Sequence, residues 1–267
     1  LQHRDVDIKL RPLYRFKLAD KKDDVQYALR NRYENLLIDK FLREAPVPVV
    51  VSNSDTLKFS GAGKYLKTIY ALPADKPESE FLKALSDVAD RQFNSALAHY
   101  DHAVDGETSD KYAALYKSFY YMNRGVLRAD MIDFISSIEN NVQTLTMDDQ
   151  GTTRARVKDQ VSRTYDYSDA IEDMKKAIEV VGDIPYAYFN LANLQCLSSS
   201  YVEAINNYTK AISCYPYLGD AYFNRGLVLI YLKDKEKGCI DLSHAGELGV
   251  ADAYSVIKKY CEQEQNR

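Results

Sequence analysis

The sequence predicts a mostly helical protein, a solenoid of stacked helix pairs behind a small α/β segment, and three observations predict it. First, positions recur about 34 residues apart: Tyr167 at Tyr201, Ala170 at Ala204 and Gly238, Met174 at Tyr208 and Leu242, and Ala177 at Ala211 and Ala245. Second, Ala187-Tyr188-Phe189-Asn190 recurs in step as Ala221-Tyr222-Phe223-Asn224. Third, the composition suits packed helices. Of 267 residues, 46% are hydrophobic, and the 22 tyrosines with no tryptophan supply rings of the size that fills the space between helices.

Residues 1–75 form the small α/β segment. Val6, Ile8 and Leu10 alternate with Asp7, Lys9 and Arg11, and after Pro12 the alternation resumes through Tyr14, Phe16 and Leu18, which predicts a strand interrupted once, at an edge. Over residues 23–43 the apolar spacing turns helical, through Val25, Leu29, Tyr33, Leu36, Leu37 and Phe41. Prolines 46 and 48 bias the run to Val51 toward extended angles. Ser60-Gly61-Ala62-Gly63-Lys64 is not a phosphate loop. Lys58 and Tyr65 stand where a glycine and a hydroxyl are required, so an ordinary glycine turn is expected.

Residues 76–267 form the repeat array with a capping helix. Pro77 suits the first position of a helix, with Glu78 and Glu80 at its positive end. Phe93, Ala96, Leu97, Tyr100 and Ala103 match the order at Tyr201, Ala204, Ile205, Tyr208 and Ala211. Residues 112–130 make a longer helix containing Asn123-Arg124-Gly125, a tripeptide repeated as Asn224-Arg225-Gly226, and Phe134, Ser137, Ile138, Asn141 and Thr144 take second-helix places. Residues 142–164 are an irregular insert. Either residues 154–161 are a degenerate first helix, or the insert is a hairpin or loop. Residues 251–264 close the stack with Ala253, Val256, Ile257 and Tyr260 inward, giving four or five repeats in all.

The formal charge of −4 gives no basic footprint for nucleic acid, and no run is long enough for a membrane helix. A soluble product is expected. The chain begins at Leu1, which is read as loss of a leader or an upstream segment, so export to the periplasm stays open. The four cysteines, all beyond residue 195, are read as buried small hydrophobes, with a Cys239–Cys261 disulfide between last repeat and cap as the alternative.

The pattern over residues 186–216 and 222–245 resembles the tetratricopeptide repeat family, through the first-helix aromatics Tyr188 and Tyr222, the small residues Ala192 and Gly226, and Ala204, Tyr208, Ala211 and Pro216. The stretch from Ala221 to Cys261 looks like the ending of such proteins from Bacteroidetes-type bacteria. Gly238 and Gly246 depart from the family's alanines, and the missing first helix of the middle repeat predicts a groove interrupted near residues 142–164.

The resemblance implies a right-handed α-α superhelix whose first helices line a concave groove for a peptide or protein partner. By register the groove residues are Tyr186, Phe189, Asn190, Asn193 and Leu197, then Phe223, Asn224, Leu227 and Tyr231, with Met122, Asn123 and Val126 in the earlier repeat. Asparagine bonds a main chain through both donor and acceptor, and aromatic rings add contact area. Relatives that grip a terminal carboxylate carry a cation beside the asparagine. Phe189 and Phe223 stand there, so that ligand is not predicted.

Arg124 and Arg225 are read as structural salt bridges, and Asp130 and Asp133 as ordinary helix-surface charges. His99 and His102 share a helix face, but two ligands do not make a zinc site. No nucleophile-base order or paired-carboxylate pattern emerges. The expectation is a non-catalytic scaffold with no cofactor, or a repeat domain that positions an N-terminal or upstream domain with its own activity. Self-association through an exposed repeat face is the third reading.

Overall fold

Three of the helix pairs turn in the same way, and the turn shows how the sequence builds the stack. In the computed structural model, which describes residues 9–19, 45–53, 62–107, 111–141, 145–147, 153–155 and 165–262, Arg91, Ser199 and Lys233 adopt left-handed angles with φ of 59°, 61° and 69°. The amide after each reaches back to a carbonyl five residues earlier: Gln92 to Asp87 (2.8 Å), Ser200 to Gln195 (2.8 Å) and Asp234 to Leu229 (2.9 Å). This closure satisfies the carbonyls that a helix end leaves free. The next helix then starts at once.

The helices among the described residues are α1 (Ala62–Tyr70), α2 (Pro77–Ala89), α3 (Phe93–Asp105), α4 (Ala113–Asn141), α5 (Ser168–Val180), α6 (Pro185–Leu197), α7 (Tyr201–Cys214), α8 (Gly219–Tyr231), α9 (Lys235–Glu247) and α10 (Asp252–Tyr260). Pro77 and Pro185 open α2 and α6, where a missing N–H costs nothing. Asp234 caps α9 by accepting from the Lys237 amide at 3.4 Å. The pairs are α2/α3, α4/α5, α6/α7 and α8/α9, and α10 packs on the last. Four pairs and a cap thus realise the predicted solenoid. Its core is the column of second-helix residues read from the period: Ala96, Tyr100 and Ala103, then Ala170, Met174 and Ala177, then Ala204, Tyr208 and Ala211, then Leu242 and Ala245, all buried.

Close helix approach explains the departing glycines: a Cβ on Gly246 would lie 2.9 Å from the Tyr254 ring of α10, and Gly238 faces Gly226 across α8 and α9. A Cβ on Gly226 would lie 2.9 Å from the Gly238 carbonyl oxygen, and one on Gly238 would lie 2.8 Å from that of Gly226, so α8 and α9 meet backbone to backbone. Gly125 faces the Ala170 carbonyl at 3.0 Å in the same sense.

Several expectations are corrected. With no glycine or proline between Asp130 and Phe134, α4 does not break there and runs unbroken from Ala113 to Asn141. It is the first helix of the pair completed by α5; of the expected degenerate helix, residues 154 and 155 lie in a strand and the rest lies outside the described residues. Here β3 (Leu145–Met147) pairs antiparallel with β4 (Thr153–Ala155), with Thr146 opposite Arg154. The insert falls on the link between α4 and α5, within one pair. Gly63 lies in α1 rather than in a turn. The helix expected over residues 23–43 lies outside the described residues.

Strand β1 (Arg15–Leu18) pairs antiparallel with β2 (Val49–Ser52), Phe16 opposite Val51 and Leu18 opposite Val49, so the interrupted strand and the proline-flanked run are partners. Phe16, Leu18, Val49 and Val50 are buried. Cys239 and Cys261 form a disulfide tying α9 to the end of α10, while Cys196 and Cys214 are free, Cys196 buried and Cys214 half-buried. Among the described residues no helix is long and apolar enough to cross a membrane.

Candidate functional site

Asparagines on the first helices meet an extended stretch of the chain's own N-terminal region. On α4, Asn123 accepts from the Phe16 amide through Oδ1 and donates through Nδ2 to the Phe16 carbonyl, both at 2.9 Å. Asn190 on α6 does the same to Tyr14, at 2.7 Å each way. Asn193 donates to the Arg11 carbonyl at 2.8 Å, and Asn224 on α8 accepts from the Arg11 amide at 2.8 Å. These are the N–H and C=O groups that a strand edge would otherwise leave unpaired. Residues 11–16 therefore cross the stack from α8 to α4, against the order of the repeats.

The asparagines are held in turn by second-helix tyrosines. Tyr208 Oη donates to Asn193 Oδ1 at 2.5 Å, and Asn224 Nδ2 donates to the same oxygen at 2.8 Å. Asn123 also donates to Tyr100 Oη at 3.2 Å. Burial raises the Tyr208 phenol well above its ordinary pKa, with Cys196 adding to the effect, and burial also raises Tyr100. Both stay protonated throughout the neutral range, so the amide orientations do not titrate.

Side chains of the segment fill sockets beside this ladder. The Tyr14 ring lies 4.6 Å from Tyr186 and 5.2 Å from Phe189, edge-on to the latter. Its hydroxyl donates to Asp220 Oδ2 at 2.7 Å, and burial, reinforced by Asp220, pushes its pKa well above 10. Asp220 is a hub: it also accepts from Arg11 Nε (2.8 Å) and Asn53 Nδ2 (2.9 Å). Arg11 reaches further, to Asp252 at the start of α10 (2.9 Å). Both aspartates sit in first helical turns, where negative charge is favoured. Arg15 makes a two-pronged pair with Asp130, and Phe16 packs on Phe119 at 4.5 Å and on Phe81 at 6.3 Å.

The site residues expected from sequence divide accordingly. Tyr186, Phe189, Asn190, Asn193, Asn224 and Asn123 come together on the segment. Met122, Val126, Phe223 and Leu227 are buried in the core. Leu197 and Tyr231 are exposed, and the Tyr231 ring lies tilted against that of Tyr201, 4.9 Å away. Asp130, expected as an ordinary surface charge, is instead the partner of Arg15. Asp133, in the same position on paper, accepts from Tyr167 Oη at 2.8 Å and has its pKa raised by burial and by Asp130. The occupant and Asp220 escaped the sequence reading. The available signal was the alternation of Tyr14, Phe16 and Leu18, an aromatic-rich strand with too little sheet in the sequence to cover both its edges.

Arg124 and Arg225 bridge structure, as read. Arg124 grips Asp173 through Nε (3.0 Å) and Nη2 (2.6 Å) and reaches Asp101 at 2.8 Å; Arg225 grips Asp241 at 2.7 and 2.8 Å.

No family model matches this sequence, and no curated relative matches it. Solved structures similar to it include MamA (16% identity, 84% of this chain and 99% of that chain, TM-score 0.48) and YrrB, described as a TPR protein with an unusual peptide-binding site (10% identity, 84% and 98%, TM-score 0.49). Another is the C-terminal part of a TPR repeat-containing protein from Cytophaga hutchinsonii (13% identity, 78% and 85%, TM-score 0.37). With its period of about 34 residues and its consecutive helix pairs, the chain has a tetratricopeptide-like solenoid fold.

Proposed function

We propose that this chain is a non-catalytic protein-interaction scaffold whose first-helix groove clamps an extended main chain, and that its resident occupant is the segment around residues 11–16. The observation that carries this is the asparagine ladder: Asn123, Asn190, Asn193 and Asn224 bond main-chain groups at Phe16, Tyr14 and Arg11. Main-chain bonds supply grip without choosing a sequence. The choice rests on the Asp220 and Asp252 carboxylates for a cation, on the Tyr186–Phe189 socket for a ring, and on the Phe81–Phe119 socket for a second ring. The clamp fixes where the N-terminal segment leaves the array, which favours the positioning role. A partner strand with the same pattern, a cation followed three and five residues later by aromatics, would enter by exchange. The Cys239–Cys261 disulfide favours an oxidising compartment.

The test uses a fluorescent peptide of residues 9–19 and the full chain carrying Arg11→Ala and Tyr14→Ala, with folding checked by circular dichroism. The weakened chain is expected to bind the peptide, wild type to bind it far less, and Asn190→Ala with Asn193→Ala added to the weakened chain to abolish binding. A weakened, folded chain that ignores the peptide would overturn the clamp.

A further inference from the structure

We propose a divalent transition-metal site, of the kind that takes zinc, at Glu80, His99 and His102. Helix α2 presents Glu80 beside the α3 histidines, which lie one turn apart on the same face. His99 Nδ1 is 2.6 Å from Glu80 Oε2, and His102 Nδ1 is 3.8 Å from that same oxygen. One ligand atom from each of the three falls within a 4.8 Å span. Atoms bound to one zinc at about 2.1 Å lie up to about 4 Å apart, so a small turn of the exposed His102 ring closes the set.

Two further features fit a ligand role. Lys83 Nζ donates to Glu80 Oε1 at 2.6 Å, which orients the carboxylate so that Oε2 faces the imidazoles. The far nitrogen of His99, Nε2, lies 3.6 Å from Oδ2 of buried Asp87, itself held by Ser95. A histidine that coordinates through one nitrogen commonly donates its other N–H to a carboxylate, which fixes the ring and strengthens the ligand. The concavity in front, about 440 Å³ and lined by Asp75, Lys76, Pro77 and Gly106, leaves a coordination position for water. Two nitrogens, one oxygen and an open place match the His₂-carboxylate donor set.

Chelator-treated full-length protein titrated with zinc chloride in a calorimeter tests the assignment. Wild type is expected to take up one equivalent, His102→Ala and His99→Ala to bind at least about 100-fold more weakly, and Asp87→Asn to lose about tenfold. His102 is exposed, so its alanine variant keeps the fold, and its melting curve verifies this. Zinc uptake unchanged in His102→Ala, or no one-equivalent uptake by wild type, overturns the site. His3→Ala and His244→Ala are expected to bind as wild type does; loss of binding in either would move the site elsewhere and equally overturn it.

Discussion

Asn123-Arg124-Gly125 and Asn224-Arg225-Gly226 divide three tasks among adjacent side chains: the asparagine faces the clamped segment, the arginine grips an aspartate of the second helix, and the glycine lets that helix approach. The middle pair makes a different choice at the same places. Leu191 follows Asn190, and Asn207 stands where Asp173 and Asp241 stand, bonded to Gln195 at 2.8 Å. The chain thus swaps both members of the ion pair together, because one alone would leave a buried charge. Asp241→Asn is expected to cost about 2 kcal/mol, and Arg225→Leu combined with it to recover about 1 kcal/mol of the summed single losses, measured by urea unfolding. Strictly additive losses would refute the coupling. Asp133 gives a pH-dependent counterpart. Its folded pKa is raised by burial, so the folded state binds the proton more tightly than the unfolded state, and stability falls as pH rises through that value. Asp133→Asn should therefore stabilise the protein at neutral pH, with the gain shrinking as pH falls through the folded pKa and gone below about pH 4. A gain that persists in acid would point to packing instead.

Helix-pair turns are the element where local sequence and geometry disagree. Arg91, Ser199 and Lys233 hold left-handed angles without being glycine, whereas the turn after α9 places Gly249 there at φ 91°. An L-residue in that region costs about 1–2 kcal/mol, and glycine costs about 0.5–1 kcal/mol in unfolded-state entropy, so strain outweighs entropy. Arg91→Gly, Ser199→Gly and Lys233→Gly are each expected to add about 0.5 kcal/mol, seen as stepwise rises in the thermal midpoint. Falling midpoints would mean that the side chains contribute more than their backbone angle costs. The element scale also marks how far the sequence could be read. Periodicity exposed the second-helix column because Ala, Tyr and Ala recur at fixed spacing there. It mistook the place of α4, because an insert separates Arg124 from Asp173 by 49 residues whereas Arg225 and Asp241 are 16 apart. A fixed period cannot follow a repeat whose two halves are so separated.

Across the whole molecule, the sequence singled out the asparagines that bond the segment but not the segment itself, since residues 11 and 224 lie 213 apart and no local pattern links them. The cysteines show the same limit: spacing offered the Cys239–Cys261 pair only as an alternative, and the docking of α10 on α9 brings the two together. Unfolded, unreduced protein should therefore show two reactive thiols and reduced protein four; four without reductant would exclude the bridge. In the native state Cys196 should react slowly, its thiol pushed up to about 11 by burial. The crossing of the segment has a mechanical side. A solenoid whose pairs touch only their neighbours lengthens like a spring, each interface yielding separately. Here one strand is pinned at α4, α6, α8 and α10, so stretching the coil must shear several hydrogen bonds and the Arg11 ion pairs at once. The segment acts as a tie-rod, and the stiffness of the coil is set by how firmly it is gripped at both ends.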